Sequence, residues 1–113
     1  MSEVERIECY RRMWVLVFFD LPTATKKERK AYASFRKNLE KDGFSMMQYS
    51  VYIRFCPSAE NRNVHVTRVR SFLPDAGKVS ILTITDLQYS RIINIWGRKT
   101  APVASSPMQL ELF

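Results

Sequence analysis

The chain has 113 residues and a mass of 13.3 kDa, enough for one small domain in which core burial just suffices and oligomerisation often helps. Eighteen Lys and Arg against eleven Asp and Glu give a net charge of +7 and a pI near 9.7, which points to a polyanionic partner, nucleic acid ahead of an anionic membrane. The longest apolar run, Met13 to Phe19, is far shorter than the roughly 20 residues of a membrane helix, and the lone Cys9, Cys56 and His65 lend no support to a disulfide framework or a zinc site.

Residues 1–12 mix charges of both signs with little periodicity and read as an N-terminal extension. Nothing in them resembles a charged-then-apolar signal segment, so a cytoplasmic protein with no membrane partner is expected. The stretch MWVLVFFDLP, Met13 to Pro22, then sets a carboxylate directly after seven apolar residues. The apolar run fits a central strand covered by helices on at least one side. Pro22 ends it, so Asp20 is expected at the carboxyl end of the strand, at the lip of the fold.

Thr25 and Glu28 form a capping box and Gly43 supplies a left-handed stop, which predicts a helix over 26–42. Its positions Ala31, Tyr32, Phe35 and Leu39 share one apolar stripe. Lys26, Lys30, Lys37 and Lys41 share another, with Arg29 and Arg36 beside them. From Phe44 the period becomes two, Met47, Tyr49, Val51, Ile53 and Phe55 alternating with Gln48, Ser50, Tyr52 and Arg54. This predicts a long strand with the first set in the core, Tyr49 included, and a bulge near Met46. A second helix over 59–73, capped by Ser58 or Asn61 and ended by Pro74, puts Val66, Val69 and Leu73 on one side.

Gly77 opens an alternating strand over 79–85, residues 86–91 read as a polar link, and Ile92 to Trp96 as a further short strand. Counting the long second strand as two segments, the order matches the ferredoxin-like βαββαβ pattern, an α+β fold whose antiparallel sheet carries both helices on one face. The open face then needs burial, for which a symmetric homodimer is expected. The domain spans 13–97. Residues 98–113 form a tail rich in Pro, Ser and Ala that ends in an alternating segment, Gln109, Leu110, Glu111, Leu112 and Phe113, with nothing adjacent in sequence to pair with.

Four motifs in order, VLVFFDLP, KKERKAYASFRKNLEKDGF, QYSVYIRF and SILTITDLQYSRI, closely resemble the small CRISPR-associated protein two, particularly its type II versions. The resemblance spans Met13 to Trp96. It implies a prokaryotic, ferredoxin-fold homodimer that bridges two dimers of the CRISPR integrase, CRISPR-associated protein one, during capture of DNA spacers. It also implies a metal-dependent endonuclease or endoribonuclease. In that family pattern Asp20 is the catalytic and metal-holding residue, facing its symmetry mate and binding Mg2+ or another divalent ion. The tail from Gln109 to Phe113 is implied to engage the integrase, by adding a strand with Leu110 and Leu112 in pockets. Two departures stand out: residues 1–12 precede the usual start, and Asp86 stands where a glutamate is common.

Plainer readings stand beside these. Asp20 also suits a turn cap acting through its side chain. A single carboxylate is a poor Mg2+ site, whereas a two-fold dimer brings two, and no self-contained general acid and base pair is visible. The lysine stripe is either a solvated face or, with Arg29 and Arg36, a track for the phosphates of double-stranded DNA. A different class, a single-strand RNA-binding module of RNA-recognition topology, rests on DGFSM at 42–46, which echoes K/R-G-F/Y-G/A-F with an acid in place of the basic first residue.

Overall fold

The structure, a computed structural model, describes residues 2, 3 and 11–97. Most of the extension, Cys9 and the tail segment 109–113 lie outside the described residues. The elements are β1 (Met13–Asp20), α1 (Lys26–Lys41), β2 (Ser45–Gln48), β3 (Val51–Cys56), α2 (Ala59–Ser71), β4 (Lys78–Thr85) and a short α3 (Asp86–Ser90). The strands form one antiparallel sheet in the order β2-β3-β1-β4, the ferredoxin-like arrangement expected.

Local signals predicted the helix ends well. Thr25 caps α1 with its hydroxyl on the Glu28 N–H while the Glu28 carboxylate accepts from the Thr25 N–H, at 3.1 and 2.8 Å. Gly43 takes the left-handed conformation, φ 85°, and its bare Cα gives the Arg54 guanidinium room to lie against it. Of the two caps considered for α2, Ser58 serves, accepting from the Asn61 N–H at 3.1 Å.

Val15, Val17 and Phe19 of β1 face the helices and pack with Phe35 and Leu39 of α1 and Val69 of α2. Phe19 anchors the aromatic part of this core, edge-on to Phe35 at 5.2 Å. On β3 the buried phase is the reverse of the one expected. Tyr52 and Cys56 enter the helix-side core, while Val51, Ile53 and Phe55 lie on the other face. Tyr52 and Cys56 are as able to be buried as Val51, Ile53 and Phe55, so alternation reveals the period but not the side; pairing of Val17 with Tyr52 and Met13 with Cys56 decides it. Tyr52 tolerates full burial because its hydroxyl accepts from Arg36 Nε at 2.8 Å and donates to Glu40 at 3.4 Å. The expected bulge is present as a register shift between Met46 and Gln48.

Three further expectations are corrected. Tyr49 is not core: the hairpin turns at Tyr49 and Ser50, leaving that ring 78% exposed. Residues 86–90 are helical, since Thr85 and Gln88 build a second capping box. Residues 92–97 form no strand, because α3 turns the chain across the open face of the sheet, where Ile92 meets the hollow beside Leu16, and a strand needs a partner for its N–H and C=O groups. Asp86 has a clear local role. It accepts from Trp14 Nε1 at 2.7 Å and pairs with Arg12 at 3.2 Å, while Trp14 stacks on Tyr89 with centroids 3.8 Å apart.

The end of α1 is tied to α2 by a partly buried polar knot. A carboxylate at a helix C-terminus meets the negative end of the dipole, and here Asp42 is offset by His65 Nδ1 at 2.7 Å and Arg68 at 3.0 Å. His65 is almost fully buried. His65→Ala removes a donor to a charged, buried acceptor and leaves a hole, so the unfolding free energy is expected to fall by about 2–4 kcal/mol, read as a lower urea midpoint.

Candidate functional site

Asp20 is the last residue of β1, pairs in register with Lys78 of β4 and is exposed. Three local features hold it at the lip. Pro22 prevents the strand from continuing. On one side Gly77, φ 93°, lets the loop into β4 pass so close that a Cβ there would stand 2.7 Å from the Asp20 carbonyl oxygen. On the other, the Phe19 N–H donates to the Ser50 carbonyl at 3.1 Å and draws the hairpin turn alongside. The result is an open cleft of about 290 Å³ walled by Asp20, Lys78 and Ser80 on one flank and by Tyr49 and Ser50 on the other.

The expected cations separate into two groups. Lys26, Lys30, Lys37 and Lys41 are all exposed along α1. Arg29 instead donates to the carbonyls of Thr23 and Ala24 at 3.2 and 3.0 Å, bracing the loop before the helix. Arg36 is engaged by Tyr52 and lies 5.9 Å from the Tyr32 ring centroid; the Tyr52 hydroxyl, through its hydrogen bond, pushes the guanidinium pKa above its ordinary value. The two arginines therefore serve the fold as well as the surface.

Sequence reasoning missed the Tyr49 wall of the cleft. The pair Tyr49 and Ser50 holds no Gly, Pro or Asn, only Ser50 with its weaker turn preference, and its alternation continues that of the strand. In the structure the Tyr49 ring stacks on Tyr32, with centroids 6.4 Å apart. Hydrogen bonding with the Tyr32 hydroxyl pushes the Tyr49 phenol above its usual pKa.

As a divalent-metal site one chain is incomplete. Among the described residues no three His, Cys, Asp or Glu side chains come together. Asp20 offers the hard oxygen that Mg2+ prefers, but a single carboxylate opposite a lysine is too little protein ligation for a stable site. The RNA-recognition reading loses its motif, because Phe44 is buried in the core and Asp42 is bound to His65 and Arg68. No helix among the described residues is long and apolar enough to cross a membrane.

Comparison with known proteins agrees with the fold and extends it. A solved structure described as "Crystal structure of cas2" superposes with a TM-score of 0.56, at 20% identity, over 81% of this chain and 94% of its own. The "CRISPR-associated endoribonuclease Cas2" of Flavobacterium psychrophilum is 51% identical over 108 residues, 96% of this chain and 94% of that protein. Its namesake from Parvibaculum lavamentivorans is 57% identical over 101 residues, 89% of this chain and all of that protein. The model of the CRISPR associated protein Cas2 family matches residues 13–92, a span that runs from β1 through α3 and includes Asp20, the lysine stripe and the Tyr49 turn; the chain belongs to that family.

Proposed function

We propose that this protein is a homodimeric scaffold of CRISPR spacer acquisition, holding double-stranded DNA while it bridges dimers of the integrase, CRISPR-associated protein one. A metal-dependent phosphodiesterase activity, of the endoribonuclease kind for which its relatives are named, accompanies that role. The observation that carries the reading is the sheet face opposite the two long helices, which the described residues cover only in part. Leu16 and Ile53 are buried at its centre, while Phe18, Phe55 and Leu82 around them remain exposed. Beyond it Ile93 and Ile95 are 79% and 84% exposed. An apolar area of this kind on so small a basic domain favours a second copy.

A two-fold pairing of these faces would bring together two Asp20 carboxylates, completing the oxygen set that one chain lacks. A divalent ion held there would neutralise charge on a phosphodiester. The protein's own part is to present the two carboxylates and to hold the nucleic acid through the lysines of α1. No histidine and no second carboxylate lines the Asp20 cleft among the described residues, so slow hydrolysis is expected.

Light scattering at micromolar concentration is expected to return the mass of a dimer. Leu82→Glu, which sets a charge in the middle of the exposed face, is expected to return a folded monomer. A wild-type chain that is monomeric throughout this range would remove the dimer and the shared Asp20 site with it.

A further inference from the structure

The hairpin turn between β2 and β3 has features that connecting two strands does not require. Ser50 adopts a left-handed backbone, φ 63°, although it is not glycine. Such a conformation persists only where its surroundings enforce it, and it gathers at functional sites. Here the Phe19 N–H holds the Ser50 carbonyl at 3.1 Å, and the Ser50 and Tyr32 hydroxyls lie 3.4 Å apart. What this strained turn achieves is to display an aromatic ring, Tyr49, with 78% of its surface in solvent.

The ring is backed as well as displayed. Tyr32 stacks on Tyr49 with an interplanar angle of 29°, and the Arg36 guanidinium lies against Tyr32 in turn. Because Tyr32 belongs to α1, this stack is anchored on the helix side of the sheet edge. Tyr49 also borders the same cleft as Asp20 and Lys78. An exposed, rigidly supported aromatic, a cation and a carboxylate thus share one opening.

We propose that Tyr49, supported by Tyr32 and Arg36, is a stacking platform for one unpaired nucleobase, which sets the adjoining phosphodiester beside Lys78 and Asp20. The inference rests on the reading of the Asp20 cleft as a phosphodiester site and adds what that cleft selects. Stacking on an aromatic ring tolerates any base, since every base has a π-face. Within a duplex those faces are already taken by neighbouring bases, so the platform accepts a single strand or an unpaired end. The lysines of α1 contact backbone phosphates and take either form.

The test uses the full chain in EDTA, so that binding is read without hydrolysis, and labelled oligothymidine, oligouridine and a blunt duplex as probes. Tyr49→Ala is expected to weaken single-strand binding roughly ten-fold and to leave duplex binding within about two-fold. Tyr49→Phe, which keeps the ring, is expected to bind single strands within about two-fold of the wild type. A loss on both oligothymidine and oligouridine supports the shared chemistry; a loss on one supports it and names the polymer. Unchanged single-strand affinity in Tyr49→Ala overturns the platform, as does an equal loss on duplex, which would make the ring a support of the fold. Wild-type protein that binds duplex but no single strand overturns the platform alone. Wild-type protein that binds neither overturns the phosphodiester reading along with it.

Discussion

Asp20→Ala is expected to abolish metal-dependent phosphodiester cleavage, by about 100-fold or more, while dimer formation, duplex binding and integrase-dependent spacer capture survive. The size follows from the ligand count. Changing a group that merely orients a metal ligand already costs about 10–100-fold, and among the described residues Asp20 is the one carboxylate lining the cleft. Survival of the rest follows from its position: the side chain is exposed, and the pairing with Lys78 is made by main-chain groups that alanine retains. In a dimer the change also removes two like charges held close together, which disfavour joint ionisation unless a cation or proton lies between them. Both activities are to be measured on one purified variant that folds and dimerises. Spacer capture lost together with cleavage would contradict the scaffold role and make Asp20 a working catalytic residue in the cell.

Reversing Lys26, Lys30, Lys37 and Lys41 to Glu is expected to lower duplex affinity by about 100-fold or more at moderate salt and to flatten its salt dependence. Each phosphate contact releases counterions and adds about 0.9 to the slope of log K against log salt, so losing four should reduce that slope by about 3–4 per protomer. The fold should tolerate the change, because the four side chains are exposed and the capping box is made by the side chains and N–H groups of Thr25 and Glu28, which the change leaves in place. Unchanged helix content and melting temperature confirm that binding alone was altered. If affinity and slope both stay at wild-type values, the stripe is a solvated face and the DNA lies elsewhere.

Much of this molecule was decided by short-range physics and is therefore readable along the chain. The capping box at Thr25 and Glu28, the left-handed stop at Gly43 and the break at Pro22 each involve residues a few positions apart, so their hydrogen bonds and steric limits act before any tertiary contact forms. The two helical stripes of α1 and the place of Asp20 at a strand end follow from periodicity, and with them the βαββαβ order and the four motifs of the family.

Tertiary structure alone decided which side of each pattern is used. β3 carries residues fit for burial on both faces, and only its register against β1 sent Tyr52 and Cys56 to the helices and Val51, Ile53 and Phe55 to the open face. The Asp42, His65 and Arg68 knot joins residues 23 and 26 positions apart, a distance at which no local signal reports a contact. The Tyr49–Ser50 turn is held by Phe19 and Tyr32 from two other elements, so a pair that reads as strand became a displayed ring beside Asp20. Residues 92–96 carry a strand pattern, yet backbone hydrogen bonds need a partner, and α3 sends Ile92 across the open face of the sheet rather than along its edge. Composition and spacing determined what the chain is able to bury and where each element begins; the sheet determined which residues were left outside to act.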